Sequence, residues 1–181
     1  DNKMSTNSAR AHFGPAGTAA SFTEMGYKGS LDVPEYLKKF GLDAFEYQCG
    51  RGVNIGLEKA SELGKKAAEY GILLSIHAPY YISLASAEEQ KRENSVKYIL
   101  QSAAAAKAMG ATRIVVHPGG LSGKTRQEAT AIASETLKKA CAALDENGLS
   151  DIRVCPETMG KINQLGDLDE ILTFCSLDDR V

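Results

Sequence analysis

Ile72-Leu73-Leu74-Ser75-Ile76-His77 is a short apolar run ending on an imidazole, and the form returns as Ile114-Val115-Val116-His117 and as Ile152-Arg153-Val154-Cys155-Pro156-Glu157. The gaps from His77 to His117 and from His117 to Glu157 are both 40 residues. Runs this short and this rich in β-branched residues read as buried strands, and the stretches between them carry helical period. Strand, helix and strand in sustained alternation mean parallel strands joined by right-handed crossovers. All strand ends then point one way, so the three terminal side chains share one rim, the place where such folds keep their chemistry.

The same alternation extends in both directions. Ala44 to Tyr47 reads as a strand, followed by the loop Gly50 to Asn54 and a helix from about Ile55 to Tyr70 that Gly71 ends. A helix from about Glu88 to Met109 is expected to bury Val96, Ile99, Leu100, Ala103 and Ala104, with Gly110 as its C-terminal cap. The run Ala103 to Ala106 suits close packing of helix on sheet. Pro118-Gly119-Gly120 breaks the chain after His117, and Thr125-Arg126-Gln127-Glu128 fits a capping box for a helix that Asn147-Gly148 stops. The inner face of that helix reads as Ala129, Ile132, Ala133, Leu137, Ala140, Cys141 and Leu144. Asp167 to Glu170 repeats the capping signal before a last helix through Ile171, Leu172 and Phe174. Upstream, Ala11-His12-Phe13 reads as an initial strand with Gly14 to Gly17 as its loop, and Asp32-Val33-Pro34-Glu35 opens a short helix ending at Phe40-Gly41.

Two α/β architectures satisfy this order, an open doubly wound sheet and a (β/α)8 TIM barrel. Gly14-Pro15-Ala16-Gly17 lacks the glycine spacing of a dinucleotide-binding turn, and ligand-competent side chains on consecutive strands favour the barrel. Eight units typically need about 250 residues, so 181 residues are expected to hold about the first five βα units, stopping before a sixth strand. Residues 1–181 read as a single domain, the N-terminal part of the barrel, with residues 1–9 as a poorly ordered tail. An open edge at the fifth strand is expected to leave these residues unstable or prone to associate.

Composition narrows the function classes. Hydrophobic residues are 43% and charged residues 24%, an ordinary globular balance. No apolar stretch approaches the roughly 20 residues that span a bilayer, and Asp1 to His12 has no apolar signal core, so the expected location is cytoplasmic with no membrane partner. A net charge of −2 gives no general field for nucleic acid, so a phosphate-rich substrate must be held locally. Cys49, Cys141, Cys155 and Cys175 form no Cys-x-x-Cys pair and read as reduced thiols in core or half-core positions.

A single histidine at a strand end is more often a hydrogen-bonded structural residue than a ligand. Two imidazoles and a carboxylate on neighbouring strand ends are a different matter: His77, His117 and Glu157 form a ready site for Zn²⁺ or Mn²⁺ with a coordination position left open. Around them, Ser75-Ile76-His77-Ala78-Pro79-Tyr80, Val115-Val116-His117-Pro118-Gly119-Gly120 and Pro156-Glu157-Thr158-Met159-Gly160 with Leu165-Gly166 resemble three successive motifs of the endonuclease IV family. These are AP endonucleases of family 2, metal-dependent barrels of the xylose isomerase-like superfamily that hydrolyse DNA 5′ to abasic sites.

That resemblance implies that His77 and His117 are ligands of one zinc, and that the Glu157 carboxylate bridges it to a second and takes part in catalysis. It makes Tyr80 the aromatic that inserts into DNA at the lesion, against the alternative of a partly buried strand-end tyrosine. Arg51 lies where the family places an arginine that enters the DNA stack, though its loop differs and an ordinary solvated arginine is the competing reading. The family's remaining ligands come from strands six to eight, and Asp178 and Asp179 read as a polar loop rather than as one of them. Ala78 stands where some DNA repair members carry a polar residue, which keeps open a divalent-metal sugar isomerase or epimerase of the same superfamily. A barrel fragment retained for binding is a third reading. His12 is a weaker candidate for the rim, Glu46 a candidate acceptor for an imidazole or a partner of a nearby Lys or Arg, and Lys124 and Arg126 candidates for phosphate at a helix start.

Overall fold

The computed structural model describes residues 10–181; the tail expected over residues 1–9 lies outside the described residues. Four strands, β1 (Ala44–Gln48), β2 (Leu73–His77), β3 (Arg113–Val116) and β4 (Arg153–Pro156), form one parallel sheet in the order β1-β2-β3-β4. Consecutive strands are neighbours throughout, joined by crossovers through α3 (Leu57–Tyr70), α4 (Glu89–Ala108) and α5 (Arg126–Glu146). The result is a curved α/β arc of a TIM barrel, with α6 (Leu168–Cys175) following β4. Before β1 lie α1 (Ala20–Glu24), a 3₁₀ turn at Ser30–Asp32 and α2 (Val33–Lys39). Val33 and Pro34 open α2 and Gly41, at φ 68°, releases the chain toward β1.

The expected first strand is not a regular one. Phe13 O accepts from the amides of Asp43 and Ala44, Pro15 O accepts from Glu46 N, and Gly17 N donates to Glu46 O, leaving a single parallel bridge between Ala16 and Glu46. Pro15 has no N–H to give to a ladder. Gly14 also passes so close to β1 that a Cβ there would lie 1.5 Å from Ala44 O. Four regular strands and this irregular segment therefore stand where five strands were expected.

The core sits between sheet and helices. Ile76, Ile114, Val116 and Val154 are fully buried against Leu63, Ile99, Leu137, Leu144 and Phe174. A second cluster joins Phe22, Tyr36, Leu37 and Phe45, with the rings of Phe22 and Tyr36 edge to face at 5.2 Å. The buried face of α4 is rotated from the expected one: Ser95 and Ser102 point inward with Ile99, Ala103 and Ala106, whereas Val96, Leu100 and Ala104 are half-buried. Each serine hydroxyl satisfies itself on the carbonyl one turn back, Lys91 or Tyr98, so burial costs no unpaired group. In α5, Thr136 takes the inner place expected of Ile132 and gives its hydroxyl to Leu84 O at 2.8 Å.

All four cysteines are free, but Cys175 is exposed rather than in the core. Leu172 likewise faces outward while Ile171 and Phe174 are buried. No described helix is long and apolar enough to cross a membrane.

Candidate metal centre

Parallel register brings the three strand ends level. His77 closes β2 opposite Gln48 of β1 and Val115 of β3, and Val116 of β3 pairs Pro156 of β4, the residues just before His117 and Glu157. The ladder continues through the ligand-bearing residues themselves: Cys49 N donates to His77 O at 3.1 Å, Ala78 N to Val115 O at 2.8 Å and Glu157 N to Val116 O at 2.9 Å. Three atoms meet as a consequence. His77 Nε2 lies 3.1 Å from His117 Nε2 and 3.0 Å from Glu157 Oε2, and His117 Nε2 lies 2.9 Å from the same oxygen. The two rings stand at 90° with centroids 4.7 Å apart.

Their chemistry follows from one further contact. His77 Nδ1 is 2.9 Å from Ala78 O, and a carbonyl can only accept, so Nδ1 carries the hydrogen and the neutral ring keeps a lone pair on Nε2. That lone pair faces a carboxylate oxygen and a second imidazole nitrogen. A proton on His117 would settle one of these contacts, whereas a divalent cation would settle all three. Ligands about 2.0–2.1 Å from a tetrahedral ion are roughly 3.4 Å apart, close to the spacings seen. The donor set of two imidazoles and a carboxylate suits a borderline first-row ion. His77, His117 and Glu157 form a group able to hold a metal among the described residues. Their side chains are 14%, 28% and 43% exposed, so the triad opens on solvent on one side.

That opening is a cavity of about 380 Å³ lined by Glu46, Gln48 and Tyr80 as well as the triad. Tyr80 is exposed, not partly buried, and Arg51 Nε donates to its hydroxyl at 3.1 Å, so the arginine is engaged rather than merely solvated. Among the described residues Glu46 neither orients an imidazole nor pairs with a base; its Oε1 accepts from Gln48 Nε2 at 2.9 Å. Gln48 is a cavity residue that the sequence motifs do not single out, although it lies two residues after Glu46 and hence on the same face of β1.

His12 sits at the opposite end of the sheet, where its Nδ1 is 3.0 Å from Asp43 Oδ2, just before β1 begins. Arg126 is not free for phosphate: it grips Glu170 and two carbonyls. Asp178 lies in a polar loop with its carboxylate on Arg180 at 2.8 Å. Two larger hollows lie away from the triad. One, of about 590 Å³, opens widely beside Arg153, Asp178 and Arg180; the other, of about 580 Å³, runs past His12 and the beginnings of the strands. Among the described residues, neither brings together a group of ligand atoms like that at the strand ends.

Residues 34–180 match the family described as xylose isomerase-like TIM barrel. An uncharacterized protein of Methanocaldococcus jannaschii is 34% identical over 165 residues, 90% of this chain and 56% of that protein. A probable endonuclease 4 of Acholeplasma laidlawii is 33% identical over 114 residues, 61% of this chain and 37% of that protein. Among solved structures, the 3-keto-D-glucoside 4-epimerase of E. coli superposes with a TM-score of 0.69 at 17% identity, covering 93% of this chain and 64% of the epimerase. The chain thus spans about half the length, or less, of these curated relatives.

Proposed function

The chain belongs to the xylose isomerase-like TIM barrel family, and within it we propose that the protein is a zinc-dependent hydrolase of the endonuclease IV type, cutting the phosphodiester 5′ to abasic sites in DNA during base excision repair. The observation that carries this reading is the convergence of His77 Nε2, His117 Nε2 and Glu157 Oε2 within 3.1 Å, inside the three sequence motifs that resemble that family. Sequence similarity to a probable endonuclease 4 at 33% identity supports it. Likeness to the epimerase at 17% identity speaks to the fold alone.

Zn²⁺, or Mn²⁺, held by His77, His117 and Glu157 would supply Lewis acidity toward a phosphoryl oxygen and acidify water. The chain's own groups prepare that site. The Ala78 carbonyl fixes the tautomer and tilt of His77. Glu157 turns Oε2 to the imidazoles, and Oε1, which makes no hydrogen bond among the described residues, is left to accept a proton or reach a further ion. Tyr80 and Arg51 form the DNA-facing edge, the ring to stack beside the lesion and the guanidinium to enter the helix next to it. With a net charge of −2 the backbone must be gripped by such local groups rather than drawn by the whole surface.

The test is direct. The protein with added Zn²⁺ should nick a duplex carrying one abasic site on its 5′ side, and His117→Ala should abolish nicking; cutting that survives the substitution rules out this role for the triad.

One observation favours a second reading, a divalent-metal sugar isomerase or epimerase. Glu46 places a carboxylate in the same cavity as the triad, where the proton transfer of such a reaction needs a base that is not itself a ligand.

A further inference from the structure

We infer that Arg126 and Glu170 are positioning residues for the metal centre, a clamp that fixes the reach of Glu157 from outside the ligand group. The inference rests on the metal reading of the triad given above. Glu157 stands at the start of the loop between β4 and α6, and His117 at the start of the loop between β3 and α5. A side chain on a loop can be held for coordination only if the loop is held.

These two loops are laced together. Leu165 N donates to Gly119 O at 2.9 Å, Leu121 N to Asn163 O at 3.2 Å, and Gly120 bridges Gln164 in antiparallel fashion. The far end of the β4 loop folds back on its beginning: Met159 N donates to Gly166 O at 2.8 Å, and a Cβ on Gly166 would lie 2.9 Å from Glu157 O. Gly166 is therefore the backbone wall against which Glu157 rests, and its φ of 127° is one that side chains rarely adopt.

Arg126 and Glu170 hold that wall. Glu170, only 6% exposed, accepts from Gly166 N at 2.7 Å and from Asp167 N at 3.1 Å through Oε2. Arg126, the first residue of α5, meets both carboxylate oxygens of Glu170 at 2.8 Å in a bidentate pair. Two further donors go to Ile162 O and Gln164 O, both at 3.0 Å, inside the β4 loop. One guanidinium thus joins the helix after the His117 loop to the loop of Glu157 and to the helix beyond it. Coordination tolerates little error: groups bonded directly to a metal ligand commonly change metal affinity about 10- to 100-fold when removed, and a clamp acting one step further out, through Gly166, belongs at the low end of that range.

The experiment is Zn²⁺ titration calorimetry on the full chain with Arg126→Met and Glu170→Gln, each paired with a thermal melt without metal. His117→Ala defines the affinity of zinc bound elsewhere. Arg180→Met is the stability control, because its pairs with Asp145 and Asp178 lie away from the triad. Arg126→Met should bind zinc about tenfold more weakly, while Arg180→Met melts earlier yet binds as the parent does. If Arg126→Met does not fold, Glu170→Gln, which loses the charged bidentate pair with Arg126, takes its place and should also bind zinc more weakly than the parent. Parent-like zinc affinity in Arg126→Met, or in Glu170→Gln, with a lowered melting temperature reduces the pair to a purely structural role and overturns the inference. A parent chain that binds zinc no better than His117→Ala overturns the metal reading itself, and the clamp with it.

Discussion

Arg51 Nε donates to the Tyr80 hydroxyl at 3.1 Å, so side chains 29 residues apart, from the loops after β1 and β2, form one exposed unit at the rim of the triad's cavity. Tyr81 lies against Tyr80 with ring centroids 4.6 Å apart. The Tyr81 hydroxyl and then the Arg51 guanidinium pull the Tyr80 phenol below its ordinary range, so the group is set as an acceptor toward Arg51. The contact fixes the Tyr80 hydroxyl and leaves its ring on a solvent-exposed edge, where the proposed function has it meet DNA.

Tyr80→Ala should weaken binding to an abasic duplex by about 1–3 kcal/mol, roughly 5- to 150-fold in Kd, and Tyr80→Phe should keep most of the affinity because stacking needs the ring. Fluorescence anisotropy with a labelled duplex reads both. Equal affinities for the parent and the alanine variant would remove the ring from the DNA interface.

Metal that binds only the folded triad must stabilise the fold. Zn²⁺ at about a hundred times its Kd should add about 2.7 kcal/mol, or roughly 5–10 °C in Tm for a chain of this size, and chelation should reverse the shift. The rise should vanish in Glu157→Gln, which loses the carboxylate charge facing His77 and His117. An identical rise in that variant would mean that zinc is bound elsewhere.

Glu46 separates the two chemistries. Held by Gln48 in the cavity but outside the triad, it has no part in the phosphodiester reading and is the base in the isomerase reading. Glu46→Gln should leave nicking of an abasic duplex within about twofold of the parent. Loss of nicking would give Glu46 a part in the phosphodiester chemistry, whereas an epimerase activity that disappears in this variant would shift the assignment to sugars.

How much of the molecule is legible in its sequence depends on how local each signal is. β2, β3 and β4 are readable because each is an apolar run that ends on a polar group, and the starts of α5 and α6 because Thr125 with Glu128 and Asp167 with Glu170 carry both halves of a capping box within four residues. The buried face of α4 is not, because Ser95 and Ser102 look polar in a sequence, yet each returns its hydroxyl to its own helix. The irregular first segment mimics a strand in the sequence because the approach of Gly14 to Ala44 is a tertiary fact. Of the site, the triad is visible as a repeat, whereas Arg126 and Glu170, 44 residues apart, meet only when two loops fold together.

Thiol reactivity should sort the cysteines by burial. Burial pushes the Cys49 thiol up to about 11 and, with Asp178 beside it, the Cys141 thiol to about 11, while Cys155 is raised by burial as well. A thiol with a pKa near 11 holds on the order of one thiolate in a thousand at pH 8, and the thiolate is what alkylates. Brief iodoacetamide treatment of the native chain at pH 8 should therefore label the exposed Cys175 well before the others, as peptide mass spectrometry would show. Prompt labelling of Cys49 would mean that the β1 end of the core opens readily.

Gly64 sets two physical effects against each other. It lies in the middle of α3, where replacing glycine by alanine ordinarily favours a helix by about 0.8–1.0 kcal/mol. Here α3 rides directly on the C-terminal end of α4, and a Cβ at Gly64 would come within 2.4 Å of Met109 O and 2.7 Å of Met109 C. Those are backbone atoms, held by the turn that Gly110 makes at φ 73° before β3, so no rotamer change relieves the contact. The helices would have to separate, loosening Leu63 and Ala67, which are buried along the same face. Overpacking of this kind costs about 1–3 kcal/mol, more than the helix gains. Gly64→Ala should accordingly lower Tm by a few degrees in thermal unfolding monitored by circular dichroism, and a rise in Tm would show that α3 and α4 part without cost.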